Sequence, residues 1–416
     1  MKVELKLKRI KDKEGVRTCI IVNAQTGVPL VYENLYISII SRSSNYSYST
    51  IEAIAGSLLS FANYSYTKGF NLSAQMKCEA KVTGSFVYDL MNYLSLKKTK
   101  SKVVNIKSDR VVSENCLHFK LTVIEKYLVW FYTNIKNKNL SSVELISRYF
   151  KDLKPKIKNI ETNTDCEEKA LDKKQISTLK EIIKADSIKN PFKECVRLRN
   201  EAIVEILLET GIRGGELLNL RIDDVNFEKN EINIVRRPDS IEDNRIRQPL
   251  VKTLGRKIPI TKSLSEKIKK YINFSRSKEV LSVNHKYLLV SHSDNSKLGS
   301  ALTVTGFQKI FIKLRGSDQC LKNILAHSLR HSWNVTYSEN MYKMADPENY
   351  VLYEKVRNYL MGWKNTSRTA DTYTQRFLVN EATKIMMGIN STELLKKENV
   401  KIGKDKNNSR KSVFGF

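Results

Sequence analysis

The chain has 416 residues, 41% of them hydrophobic, with only 7 Pro and 16 Gly; this is enough for two or three packed domains and excludes a largely disordered or collagen-like chain. Its 72 Lys+Arg against 44 Asp+Glu give a formal charge of +28, so nucleic acid is the favoured partner, with a basic protein of unrelated role as the plain alternative. The start MKVELKLKRIKDKEG lacks the apolar run of a signal peptide, no stretch approaches membrane-spanning length, and Cys19, Cys78, Cys116, Cys166, Cys195 and Cys320 form no CxxC pair, which points to a cytosolic protein with reduced thiols, no membrane partner and no zinc.

Residues 1–27 read as a β-hairpin. Val3, Leu5 and Leu7 alternate with Glu4, Lys6 and Lys8, KDKEG makes the turn, and VRTCIIV returns. Its basic outer face is either a solvated face or a DNA contact. Residues 28–153 turn helical. In 49–70, Ile51, Ile54, Leu58, Phe61 and Tyr64 recur at steps of three and four, and Ser49 with Glu52 has the form of a capping box. Further helices are expected over 86–96, 121–135 and 141–153. The run KKTKSK (97–102) is a solvated loop or a phosphate-tracking one. Residues 154–171 are polar and aperiodic, as a linker is.

A second domain is expected over 172–392. DKKQISTLKEIIKAD (172–186) and RNEAIVEILLETG (199–211) have helical periodicity, and EINIVRR, QPLVKT and RKIPI within 231–260 make a small antiparallel sheet. LTVTGFQKIFIKLRG, NILAHSLRHSWNVTYSEN and YEKVRNYLMGW are helical again. Residues 393–416 read as a basic flexible tail.

Six residues of the second domain form one chemical set: Arg213, Lys252, His327, Arg330, Trp363 and Tyr373. Arg213 follows the glycine that ends a helix, at a junction with the next helix start, where amides favour an anion; a solvated arginine is the alternative. Glu216, three residues on, can orient a guanidinium. Lys252 lies between two β runs beside a tight turn at Leu254-Gly255, placed to give a proton to a leaving alkoxide or simply exposed. His327 and Arg330 share a helix face. Reading His327 with His331 as metal ligands suits the spacing, but HSLRH lacks the glutamate of HExxH and sets an arginine beside the ion. Trp363 is either core or an indole N–H donor to a phosphate oxygen. A tyrosine hydroxyl with a pKa of roughly 10 attacks only where cations stabilise its anion, and the other five supply them. Taken together the six suit covalent chemistry on a phosphodiester without metal or cofactor.

The segments TGIRGGELLNL, VKTLGRKIPI, AHSLRHSW, LMGW and TADTYTQRF occur in the order of a TGxRxxEL-type box, a β-hairpin lysine, an HxxR box, a His or Trp, and a nucleophilic tyrosine. In this the chain resembles the tyrosine recombinases, or phage-type integrases, over roughly residues 28–392. It departs from most members in having Trp363 where they have histidine, and in the ten-residue step from Trp363 to Tyr373, one longer than the commonest. The resemblance implies a mainly α fold with a small antiparallel sheet: a helical core-binding (SAM-like) domain and a mixed α/β catalytic domain that clamp DNA. It also implies a site-specific recombinase, the integrase or transposase of a mobile element, that cuts and rejoins DNA through a 3′-phosphotyrosine link. Double-stranded recombination sites, a homotetramer on DNA, accessory DNA-bending factors and a nucleoid-associated, cytoplasmic setting follow as expectations. A type IB topoisomerase, a telomere resolvase and a noncatalytic DNA-binding relic are the alternatives.

Overall fold

The computed structural model describes residues 4–43, 46–68, 82–96, 111–154, 170–280, 285–292, 298–344 and 349–363. The chain divides into two compact units: Met1–Glu161 with Pro238–Gln248, and Thr162–Arg237 with Pro249–Phe416. It is mainly helical with small antiparallel sheets, as the patterning leads one to expect. Among the described residues no helix is long and apolar enough to cross a membrane.

In the first unit, β1 (Leu5–Lys11) pairs antiparallel with β2 (Arg17–Asn23), in a register running from Leu5↔Asn23 to Lys11↔Arg17. Five helices follow: α1 (Val31–Ser43), α2 (Tyr48–Thr67), α3 (Gly84–Ser95), α4 (Glu114–Asn134) and α5 (Leu140–Leu153). Asn34 ties α1 to the hairpin by accepting from the Ile21 N–H and donating to the Ile21 and Leu30 carbonyls. The periodic residues of α2 are all buried, and they join Cys19, Ile21, Leu90, Leu121, Tyr127 and Phe131 in one core. Thr83, Ser113 and Asn139 cap α3, α4 and α5 by accepting from backbone N–H groups three residues on.

The capping box expected at Ser49 and Glu52 does not form. Helix α2 starts at Tyr48, so Ser49 lies inside it. Glu52 instead accepts from Arg9 Nε at 2.6 Å and Arg247 Nη2 at 2.7 Å. A charge-assisted bond to guanidinium is stronger than one to a neutral amide, and the carboxylate turns that way. The run KKTKSK and all but the ends of the 154–171 linker lie outside the described residues.

The second unit begins with α6 (Lys173–Ile183), closed at its start by a capping box between Asp172 and Gln175. Then come α7 (Glu194–Thr210) and α8 (Gly214–Asn219). A three-stranded antiparallel sheet of order β3-β4-β5 uses Val225–Asn226, Glu231–Ile234 and Arg256–Pro259. Helix α9 (Lys262–Tyr271) runs through a π turn at Ile272–Arg276 into the short α10 (Ser277–Glu279). The described part ends with α11 (Val304–Arg315), α12 (Ala326–Met344) and α13 (Tyr350–Met361). Ile203, Leu207, Leu217, Ile232, Ile258, Phe311 and Leu329 lie at the centre of its core.

The sheet differs from expectation at one place. QPLVKT forms no strand, and Val225–Asn226 supplies the third instead. Lys252 therefore sits on the long connection between β4 and β5, not on a tight hairpin. Part of that connection, Pro238–Gln248, packs with the first unit, and Leu254 gives its N–H to the Gly362 carbonyl. Val251 is buried in the core and Thr253 gives its hydroxyl to Glu216, so side-chain contacts hold this segment.

One buried group gives the second unit a pH signature. His292 is buried, its Nδ1 lies 3.4 Å from Glu279, and its ring meets Tyr271. Burial, then the Arg199 guanidinium, push its imidazole down to about 4 from an ordinary 6.5. Between these values the unfolded chain binds a proton that the native chain refuses. Stability is therefore full above about 6.5 and falls as the pH drops toward about 4. Urea titrations across that window are expected to show the decline, and His292→Gln to flatten it; an equally steep slope in the variant would assign it to other groups.

Candidate active site

Four segments of the second unit converge. Helix α7 ends at Gly211, which caps it in the left-handed conformation. Arg213 then takes the N-cap position of α8, half-buried, with its backbone N–H donated to Glu216 Oε2 at 3.0 Å. Its guanidinium stands 3.9 Å from Glu216 Oε1.

Arg330, on the first turns of α12, is buried. Its Nη1 donates to the Gly211 carbonyl at 2.7 Å and its Nη2 to the Met361 carbonyl at 3.3 Å. One guanidinium thus links the turn that carries Arg213 to the end of α13 that carries Trp363. Trp363 is buried against Met361, Trp333 and Leu360, and the Arg330 guanidinium lies over its ring, 5.5 Å from the centroid. The ring is part of the core and also a wall for the arginine.

His327 lies in the first turn of α12 and is exposed, one helical turn from Arg330. Its ring meets that of buried His331 edge to face, with centroids 4.5 Å apart. Lys252 is exposed between buried Val251 and buried Thr253. Tyr373 lies outside the described residues.

A buried polar network beneath the site joins these segments. Glu216 and Arg256 are almost fully buried and paired, Arg256 Nη2 to Glu216 Oε2 at 3.0 Å. The Thr253 hydroxyl donates to Glu216 Oε1 and accepts from Arg256 Nη1 at 3.1 Å. Arg256 Nε reaches the Leu360 carbonyl at 2.6 Å. Burial pushes the Glu216 carboxyl up, but Arg256, Thr253 and the Arg213 N–H together hold it below the usual carboxylate range. Gly362 makes the fit possible: it has φ +64, and a Cβ there would stand 2.6 Å from Arg256 Nη1.

Sequence reasoning expected Glu216 to orient a guanidinium. It does so, but the guanidinium it grips most closely is that of Arg256. The signal for Arg256 is the alternation along β5, where Arg256 and Ile258 face inward and Lys257 and Pro259 outward. Nothing in the sequence singles out Thr253.

The sequence pattern of the Phage integrase family matches residues 169–378, about half of the chain. The chain belongs to that family. It is 28% identical over 176 residues to the tyrosine recombinase XerC of Roseiflexus castenholzii, covering 40% of this chain and 46% of that protein. It is 32% identical over 167 residues to the tyrosine recombinase XerA of Pyrococcus horikoshii, covering 40% and 50%. The match therefore spans about half the length of these relatives. Its fold is similar to the Tn1549 transposon integrase in complex with transposon right end DNA, with a TM-score of 0.50 and 15% identity over 85% of this chain and 99% of that one. It is similar also to the XerH site-specific recombinase bound to its difH substrate, with a TM-score of 0.50 and 17% identity over 85% and 84%.

Glu216→Gln removes one charge of a buried pair and strands Arg256, a change that typically costs about 3–5 kcal/mol. A urea titration at neutral pH checks this. The wild-type contribution of Glu216 is present above the ordinary carboxylate range and lost as the pH falls through its lowered value. The difference between the two proteins is thus expected to shrink in acid.

Proposed function

We propose that the chain is a site-specific DNA recombinase, the integrase or transposase of a mobile element, working through a covalent 3′-phosphotyrosine link. The observation that carries this reading is the meeting of Arg213, Arg330 and Trp363 through the Gly211 and Met361 carbonyls, with Lys252 and His327 exposed on the same segments. Donors fixed by buried bonds do not reorganise when charge develops on a phosphate, and this is how such a site lowers a barrier.

In this reading Arg213 and Arg330 hold the nonbridging oxygens of the scissile phosphate, and His327 and Trp363 add hydrogen bonds. Tyr373 Oη attacks phosphorus, His327 takes its proton, and the bond from phosphorus to the 5′ oxygen breaks. Lys252 gives that oxygen its proton, so a 5′-hydroxyl leaves. A 5′-hydroxyl from a partner strand then reverses the steps. Bond energy is kept in the phosphotyrosine link, and no nucleotide cofactor is needed. Exchange between two duplexes uses four such sites, hence four copies on paired double-stranded sites, with DNA-bending proteins as helpers. The basic charge of the chain supports binding to DNA in the cytoplasm, at the nucleoid.

Tyr373→Phe is expected to bind DNA and leave no adduct on a denaturing gel with nicked duplex; sequencing the DNA trapped by the unaltered chain identifies the target. Adduct formed by the Phe variant would assign the nucleophile elsewhere. Arg330→Ala is expected to bind DNA and cleave it about 10²–10³-fold more slowly. Unchanged cleavage would remove Arg330 from the reaction.

A further inference from the structure

Within the second unit, residues 250–253 lie against the start of α8, the helix with Arg213 at its N-cap. Two contacts set their place there. A Cβ on Gly215 would stand 2.7 Å from the Leu250 carbonyl oxygen, so the backbone two residues before Lys252 rests directly on the first turn of α8. One residue after Lys252, the Thr253 hydroxyl donates to Glu216 Oε1 and accepts from Arg256 Nη1 at 3.1 Å. Gly215 and Glu216 are neighbours, two and three residues beyond Arg213. Lys252 is therefore bracketed by two contacts to a single helical turn.

The two contacts do what the core alone does not. Val251 and Thr253 are buried and Lys252 between them is exposed, so the neighbours turn inward and the lysine outward. Val251 joins the apolar core, but apolar contact is non-directional. The Thr253 hydroxyl is bonded on both sides, and hydrogen bonds weaken steeply when bent. Its acceptor is also the carboxylate that takes the Arg213 N–H, at 3.0 Å to Oε2. One buried carboxylate thus grips the backbone of Arg213 with one oxygen and the side chain next to Lys252 with the other.

We propose that Thr253 is a positioning residue for Lys252: through Glu216, and with the Leu250 backbone seated on Gly215, it keeps the lysine in register with Arg213. A lysine carries its ammonium on a flexible four-carbon stem, so the ammonium is placed by fixing the backbone from which it grows. Arg213 holds a phosphate and Lys252 protonates the 5′ oxygen of the same phosphate, so proton transfer depends on that register. A displacement of about 1 Å can cost on the order of 10²-fold in rate. The proposal rests on the reading of Lys252 as the residue that protonates the 5′ oxygen.

The test uses the full chain and a nicked duplex of the sequence recovered in the covalent complex, with oxygen or sulfur bridging phosphorus to the 5′ carbon. A thiolate leaves without a proton because a thiol has a pKa of roughly 8.5, far below an alcohol. Lys252→Ala should cleave the oxygen substrate about 10²–10⁴-fold more slowly and recover on sulfur. Thr253→Val, which keeps the shape and loses the hydroxyl, should slow oxygen cleavage by about 10–10²-fold, recover on sulfur likewise, and keep DNA affinity. Thr253→Ser, which keeps the hydroxyl, should cleave oxygen at close to the rate of the unaltered chain. Gly215→Ala suits a helix better than glycine but presses on the Leu250 carbonyl. It should show the same selective defect, and serves if Thr253→Val does not fold. Failure of sulfur to rescue Lys252→Ala overturns the role of the lysine itself. Rescue there, with Thr253→Val (or, in its place, Gly215→Ala) equally slow on both substrates or as fast as the unaltered chain on oxygen, overturns the positioning role alone. Thr253→Ser as slow as Thr253→Val on oxygen overturns it too.

Discussion

A single buried ion pair, Glu216 with Arg256, holds the candidate site together. Two charges taken out of water cost several kcal/mol each unless their remaining hydrogen-bonding groups are met. Here they are met by groups from the rest of the site: Thr253 from the lysine loop, the Arg213 N–H from the start of α8, and the Leu360 carbonyl from the end of α13. Satisfying the pair therefore requires these segments to come together. The segments that must approach are the ones that carry Arg213, Lys252 and Trp363. Arg330 repeats the device with a second buried guanidinium, bonded to the carbonyls of Gly211 and Met361.

This separates two kinds of arginine. Arg256 and Arg17 are occupied within the protein and set its geometry. Arg213 stays half-exposed beside the network, and Arg330 lies over the Trp363 ring. Fixed dipoles and charges lower a barrier when they are held in place before a ligand arrives, and Arg330 is itself held by the Gly211 and Met361 carbonyls. The same division runs through the first unit. There Arg9 and Arg247 share Glu52, and Arg17 takes the carbonyls of a loop that lies, by sequence, between strands of the second unit.

Much of this was legible in the chain as a string. Periodicity at steps of three and four marked α2, and strict alternation marked the hairpin, because both patterns report which side of an element meets apolar neighbours. The motif order around Arg213, His327, Arg330 and Trp363 marked the candidate site. The reading failed where a side chain had a better partner far away. Glu52 left its own helix end for two guanidiniums, and QPLVKT, though it holds β-formers, buries Val251 in the core and gives the Thr253 hydroxyl to Glu216. Propensity and capping rules weigh neighbours in sequence, and they lose to a charged partner brought in by the fold.

What the sequence determined by itself is the kind of chain this is: basic, mainly helical, with a constellation of donors in family order. Those properties depend on residue identity and local spacing alone. The tertiary structure decided which charges are buried in pairs, as Glu216 and Arg256 are, and which stay exposed, as Lys252 does. It also decided that the stretch before Lys252 folds back onto the N-terminal hairpin, away from the half of the chain that encodes it. Such choices turn on contacts between residues more than two hundred positions apart, such as Arg17 with Asp243 and Arg245. A one-dimensional pattern carries no term for partners at that separation.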